Sequence, residues 1–191
     1  MYLFFDTETT GLPKDWKAKV TDVDNWPRIT QLAIVVTDEK FQVQHEFSEL
    51  VKPDGWSIPK EKFFIDNNMS NERNEKYGHP IKKTLNSFIT LLGGCQYVVA
   101  HNLNFDLKVI SAEMIRAGVK TPHKTTKICS MLSTRDYCGL PGNKWPKLEE
   151  LHQKIFGVTF DGAHDALADV RATVRCVKYL KNNGLVTNWG M

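Results

Sequence analysis

Residues 1–13 read MYLFFDTETTGLP and are the most informative segment of the chain. The apolar run 2–5 is typical of a buried strand, yet two acids, Asp6 and Glu8, follow it directly. Because side chains two residues apart in a strand point to the same face, we expect these carboxylates to lie side by side. Like charges that close resist joint ionisation unless a positive charge lies between them. The stretch therefore predicts divalent cations at the end of a hydrophobic strand.

The composition fits one α/β domain over residues 1–191. The chain is 41% hydrophobic and carries a net charge of +3, which is compatible with a polyanionic partner but not with a polybasic protein. No apolar run approaches the roughly 20 residues of a membrane span, and the first residues lack the basic segment of a signal peptide. The four cysteines show no CxxC spacing, so we expect reduced thiols in a cytoplasmic protein.

The order of the predicted elements is three strands, followed by alternating helices and strands. Strands are predicted at 2–6, 29–37, 41–49, 97–100 and 126–128, and helices at 80–92, 105–117, 130–136, 148–156 and 165–181. The short turn 38–40 makes its two strands antiparallel, and the later alternation favours parallel strands with helical crossovers. This order is similar to the ribonuclease-H-like plan, a mixed five-stranded sheet flanked by helices.

Acids recur where predicted strands end and helices begin. Asp6 and Glu8 come first, Asp106 closes the stretch HNLNFD after the fourth strand, and Asp169 lies in AHDALADV. Taken singly, the last two have ordinary interpretations, as a residue stabilised at a helix N-terminus and as a solvated helix position. Taken together, they meet at the carboxyl ends of parallel strands, where open sheets bind their ligands. Oxygen donors without thiolates suit Mg²⁺ or Mn²⁺.

The stretches FDTETTG, HNLNFD and HDALAD together resemble the three motifs of the DEDDh 3′–5′ exonucleases. That group includes the epsilon proofreading subunit of DNA polymerase III, exonuclease I, exonuclease X and ribonuclease T. The family pattern is DxE, a distant D, and HxxxxD, which His164 and Asp169 complete. The sister DEDDy branch has a tyrosine four residues before the last acid, where this chain has Asp165.

The resemblance implies a metal-dependent enzyme that releases nucleoside 5′-monophosphates from single-stranded or frayed DNA 3′ ends, with roles in repair, replication or proofreading. Two Mg²⁺ or Mn²⁺ ions would be held by Asp6, Glu8, Asp106 and Asp169. His164 would act as general base, which suits its ordinary pKa of about 6.5. The residues implied to contact substrate are Thr7, Leu12, Asn102 and Asn104.

Several alternatives remain open at this point. An exoribonuclease would carry the same motifs, because they do not show how a 2′-hydroxyl is recognised. A non-catalytic, polymerase-associated scaffold is a second alternative, and an unrelated metal phosphohydrolase a third. A kinase is disfavoured, because the chain has no GxxxxGK[ST] loop.

Epsilon subunits bind polymerase through a C-terminal tail; about ten residues follow the last predicted helix here, so we expect a free-standing nuclease or an excised fragment. The sequence leaves the oligomeric state open.

Three further features have two interpretations each. Leu12 either contacts terminal bases or is buried. His101 is interpreted as a hydrogen-bonded turn residue rather than a catalytic one. The aromatic residues of the loops, Trp16 and Trp145 among them, alternate with lysines, a pattern that serves either for base stacking or for loop packing.

Overall fold

Five strands form one mixed sheet in the computed structural model, which describes residues 1–120 and 124–190. The strands are β1 (Tyr2–Thr9), β2 (Ile29–Thr37), β3 (Val43–Leu50), β4 (Tyr97–Ala100) and β5 (Thr126–Cys129). Their spatial order is β3-β2-β1-β4-β5. The pairs β1–β2 and β2–β3 are antiparallel, whereas β1–β4 and β4–β5 are parallel. The predicted ribonuclease-H-like sheet is confirmed.

Helices cover both faces of this sheet. Those of the described part are α1 (Lys62–Asp66), α2 (Asn71–Tyr77), α3 (Ile81–Leu92), α4 (Leu103–Ala117), α5 (Ser130–Ser133), α6 (Arg135–Cys138), α7 (Leu148–Phe156) and α8 (Ala166–Asn182). Helices α3 and α4 pack against one face of the sheet, and α8 packs against the other. Within the residues described, no helix combines the length and the apolar character needed to cross a bilayer.

The alternation of β1 explains where its polar residues point. Leu3 and Phe5 are buried with α3 and α4, and the ring of Phe5 meets Phe88 at 5.2 Å between centroids. Tyr2 and Phe4 are buried on the opposite face with α8. Because side chains alternate along a strand, Asp6 and Glu8 point to the sheet face that α8 covers. Thr7, between them, points to the face that α4 covers.

The first strand is longer than predicted, and this changes how its acids are held. Its pairing with β4 ends at Phe4, whereas its pairing with β2 continues to Thr9. The sequence had suggested that Asp6 and Glu8 lie at or past the end of the strand. In the structure both lie within β1. Strand β4, which pairs with the first half of β1, ends at Ala100, and α4 begins three residues later at Leu103. The open edge of β1 thus faces the start of a helix.

Other boundaries also differ from the predictions. Helix α4 begins two residues early, because Asn102 adopts the left-handed conformation that asparagine tolerates. Strand β3 begins at Val43, since Phe41 has a φ of 58° and ends the turn before it. The predicted helix 130–136 is two short helices, and the last helix begins and ends one residue later than predicted. Helices α1 and α2 were not predicted, because segments of five and seven residues show little periodicity.

Candidate active site

Three of the predicted site residues meet at the carboxyl end of β1. Glu8, His164 and Asp169 each offer one ligand atom, and these atoms all lie within 4.8 Å of one another. Glu8 comes from β1, whereas His164 and Asp169 come from the loop before α8 and from its first turn. Asp6 lies two residues before Glu8 and points to the same face. Asp6, Glu8 and Asp169 therefore lie on the same side of the sheet, the side that α8 covers.

Asp106 reaches the same region from the other face of the sheet. It lies in the first turn of α4, where the helix dipole favours a negative charge, and it is only 2% exposed. The backbone N–H of Thr7 donates to its Oδ1 at 3.2 Å, and the Thr7 hydroxyl donates to the same oxygen at 2.7 Å. Thr7, which the resemblance implied to contact substrate, is buried and contacts a carboxylate in this structure.

The carboxylates of the site lie in an environment that penalises their charge. Burial is the main cause in each case: it raises the pKa of Asp6 well above its usual value, that of Glu8 to about 8, and those of Asp106 and Asp169 to about 7. The neighbouring acids raise these pKa values further, whereas the hydrogen bonds from Thr7 lower that of Asp106. Among the residues described, no lysine or arginine forms an ion pair with these four acids. The site therefore has unpaired negative charge that bound cations would neutralise.

His164 is held in a constrained position beside these acids. Its φ of 70° is in the left-handed region, which is uncommon outside glycine, and its backbone N–H donates to Asp169 Oδ2 at 3.2 Å. Its ring meets the edge of Phe63 at 5.2 Å between centroids. Phe63 lies in α1, a helix of five residues that was not predicted, so this contact was not predicted either.

Asp165 fixes the start of α8 to the sheet. Its Oδ1 accepts the backbone N–H groups of residues 167 and 168, which makes it the N-cap. Its Oδ2 accepts a hydrogen bond from Gln31 Nε2 at 3.1 Å, and Gln31 lies opposite Glu8 in the register of β1 and β2. Sequence reasoning missed Gln31, because a register becomes visible only after the strands are paired.

His101 lies outside the acid cluster. Its Nε2 contacts the carbonyl of Pro146 at 2.9 Å and its Nδ1 contacts the Ser130 hydroxyl at 3.0 Å. Burial lowers the pKa of His101 to about 4, so the ring is neutral and its Nε2–H donates to the carbonyl. This geometry agrees with the interpretation of His101 as a structural residue.

The other three predicted substrate residues, Leu12, Asn102 and Asn104, line surface recesses. Leu12 is 72% exposed, which excludes burial as the account of this residue. It lines a groove of about 340 Å³ together with Lys14, Arg28 and Arg116. Asn102 and Asn104 line a separate cleft near the start of α4. The resemblance did not distinguish these two recesses.

Comparison with known proteins agrees with this geometry. Residues 3–177 match the family described as Exonuclease (RNase_T). The chain belongs to the exonuclease family. The predicted membership of the DEDDh-type 3′–5′ exonucleases is thereby confirmed. This exonuclease domain is 31% identical over 177 residues to the 3′–5′ exonuclease DinG of Bacillus subtilis. The matched region covers 90% of this chain but only 16% of DinG.

Solved structures show the same fold. A structure of exonuclease I has a TM-score of 0.76 at 22% identity, and the match covers 95% of this chain and 40% of that one. The E. coli exonuclease I complex with a dT13 oligonucleotide has a TM-score of 0.73 at 22% identity, covering 94% of this chain and 40% of that one. The exonuclease domain therefore spans less than half the length of these relatives.

Proposed function

We propose that residues 1–191 act as one metal-dependent 3′–5′ exonuclease domain that removes nucleoside 5′-monophosphates from DNA ends. The observation that carries the proposal is the convergence of Glu8, His164 and Asp169 within 4.8 Å, next to Asp6 and Asp106. These residues come from three separated stretches of the chain, so their meeting is a property of the fold. The four cysteines are free and buried, which supports a reducing, cytoplasmic setting.

The donor set fits divalent cations of the hard type. Asp6, Glu8, Asp106 and Asp169 supply only carboxylate oxygens, which Mg²⁺ and Mn²⁺ prefer. Their raised pKa values mean that the unpaired cluster favours protons, and a cation that replaces those protons would restore ordinary ionisation. We therefore assign these four residues as the ligands of two ions. Bound there, the ions would lower the pKa of the attacking water and stabilise the leaving 3′ oxygen.

His164 has the position of a general base. A ring nitrogen of His164 lies within 4.8 Å of carboxylate oxygens of Glu8 and Asp169, and the residue is exposed, so it borders both the acid cluster and solvent. An imidazole there would take the proton of the attacking water. The edge contact with Phe63 and the hydrogen bond from its backbone to Asp169 limit the directions in which the ring can point.

DNA is the favoured substrate within this proposal. Exonuclease I, which shares the fold, has been crystallised with the single-stranded dT13 oligonucleotide. The groove next to Leu12 is lined by Lys14, Arg28, Arg116 and one acidic residue, Asp24. Both arginines pair with the buried Glu113, so Lys14 is the cation of this groove that supports contact with the phosphates of a bound strand.

The test is a degradation assay on matched DNA and RNA oligonucleotides. With a 5′ label and Mg²⁺ or Mn²⁺, we expect a ladder that shortens from the 3′ end and stops when EDTA is added. A 3′-labelled substrate should release its label as a mononucleotide from the start. Internal fragments as first products would exclude the exonuclease assignment, and faster cleavage of the RNA would reassign the substrate.

Substitution of the general base gives a second test. His164→Ala should lower kcat about 10²- to 10⁴-fold with little change in KM, because proton transfer of this kind contributes about that factor. His45→Ala is the matched control for loss of an imidazole, because His45 is also exposed and lies in β3, outside the acid cluster. Retention of full activity in His164→Ala would show that another group accepts the proton.

A further inference from the structure

A second recess, which we call the tryptophan cleft, opens beside the first turns of α4. It has a volume of about 570 Å³, and its lining includes Trp16, Asn102, Asn104, Met131, Leu132 and Trp145. The two tryptophan side chains are 48% and 57% exposed. Two such large apolar rings exposed around one recess are typical of a binding surface rather than of a core.

Hydrogen bonds from His101 and Lys108 fix the backbone at or next to each tryptophan. Lys108 Nζ donates to the carbonyl of Trp16 at 3.0 Å, and the Trp16 ring meets Phe105 at 5.7 Å between centroids. His101 donates to the carbonyl of the residue after Trp145 at 2.9 Å. The backbones are therefore fixed to the helix that carries Asp106, while the rings remain open to solvent.

The lining of the cleft selects the chemistry of its occupant. None of the lining residues in the described part of the chain is charged, so the cleft does not suit a phosphate. Aromatic faces stack on nucleobases whatever their identity, and the amides of Asn102 and Asn104 offer hydrogen bonds to a polar base edge. The groove beside Leu12 differs in character, because its lining includes the charged side chains Lys14 and Asp24.

We propose that Trp16 and Trp145 form a stacking subsite for one nucleobase within the last few nucleotides of the substrate strand. This inference rests on the proposed function, because it takes the acid cluster as the place of hydrolysis. The subsite holds a neutral base beside α4, and it contributes to substrate affinity without contacting the scissile phosphate.

The test combines removal of a ring with removal of a base. A series of single-stranded oligonucleotides carries one abasic position, moved one nucleotide at a time from the 3′ end. For wild type, one position should raise KM about five- to 150-fold, the range expected for loss of one stacked base. In Trp145→Ala or Trp16→Ala, intact and abasic substrates should have the same KM at that position, whereas Trp145→Phe should retain most of the discrimination. The value of kcat should change little, because neither ring belongs to the acid cluster.

Tyr77→Ala is the matched control, since Tyr77 is 60% exposed in α2 and does not line the cleft. It should discriminate between the substrates as wild type does. The same series is also measured as binding, by fluorescence anisotropy in EDTA, so that the result does not depend on turnover. Alanine variants that keep the wild-type discrimination would overturn the subsite and favour a protein partner for the cleft. If wild type hydrolyses none of the substrates, but the alanine variants still lose discrimination in the anisotropy measurement, only the exonuclease proposal is refuted.

Discussion

Removal of divalent metal should make the stability of this domain fall as the pH rises through the slightly acidic range. The pKa of Glu8 is raised from 4.5 to about 8 and that of Asp106 from 3.8 to about 7. Between the unfolded and folded pKa values, the folded protein holds protons that the unfolded chain has released. Stability therefore decreases with increasing pH in this window, by about 1.4 kcal/mol per pH unit for each group.

These two carboxylates set a lower limit to the effect, because the pKa values of Asp6 and Asp169 are raised as well and add to it. Counting only Glu8 and Asp106, the free energy of unfolding should decrease by about 2.7 kcal/mol between pH 5.5 and pH 6.5. For a chain of this length, about 2–4 °C of Tm corresponds to each kcal/mol, so the Tm in EDTA should fall by about 5–11 °C. At a metal concentration of 100 times Kd, Mn²⁺ should add about 2.7 kcal/mol, and more at the higher pH, because protons and metal compete for the same oxygens.

Scanning calorimetry in EDTA, at pH values from 5.0 to about 7.5, measures this dependence. Glu8→Gln removes one of the two groups, so its slope should be smaller than that of wild type by about 1.4 kcal/mol per pH unit. Asp136→Asn is the control, since that side chain is 91% exposed and lies outside the site. A Tm that stays constant or rises over this range, or that does not respond to Mn²⁺, would refute the electrostatic reasoning.

Three other substitutions test single contacts. Thr7→Val removes the hydroxyl that donates to Asp106, so metal affinity measured by calorimetric titration should fall about 10- to 100-fold; an unchanged affinity would show that the backbone N–H suffices. Glu113→Gln breaks a buried pair with Arg28, 2.7 Å between Nε and Oε1, and should cost about 3 kcal/mol in urea unfolding, whereas a loss below about 1 kcal/mol would contradict a structural role for the pair. Asn74→Leu removes the amide that donates to the carbonyls of Thr30 and Val51; the Thr30 carbonyl keeps the Val51 N–H, so the loss should be about 1–3 kcal/mol for the Val51 carbonyl, and full stability would mean that water replaces the amide.

The acids of the site could be predicted from sequence because their positions depend on local rules. The two-residue period of a strand places Asp6 and Glu8 on one face, and the sheet topology places the start of α4 at the same edge. Neither rule needs the exact pairing of strands. The His164–Asp169 spacing likewise needs only the start of one helix.

The surroundings of the site depend on contacts that no local pattern encodes. Gln31 meets Asp165 because β1 and β2 pair in one register, and a shift of one residue would turn Gln31 to the opposite face. Phe63 meets His164 because α1 folds over the site, and α1 is a helix of five residues without a clear periodicity. Tertiary structure, rather than motif spacing, supplies both contacts.

One strand provides both the core and the reactive cluster, and this arrangement explains how so much buried negative charge is held in place. Leu3, Phe4 and Phe5 are at most 2% exposed, and burial of such side chains stabilises the fold by about 1.5–3 kcal/mol each. That stabilisation opposes the cost of placing Asp6 and Glu8 a few residues further along the same backbone. Because β1 pairs with β2 as far as Thr9, the two acids cannot move apart to reduce their repulsion without breaking the sheet. Only protons or cations can relieve it, so the rigidity of the strand supports the proposed metal site at this pair of acids.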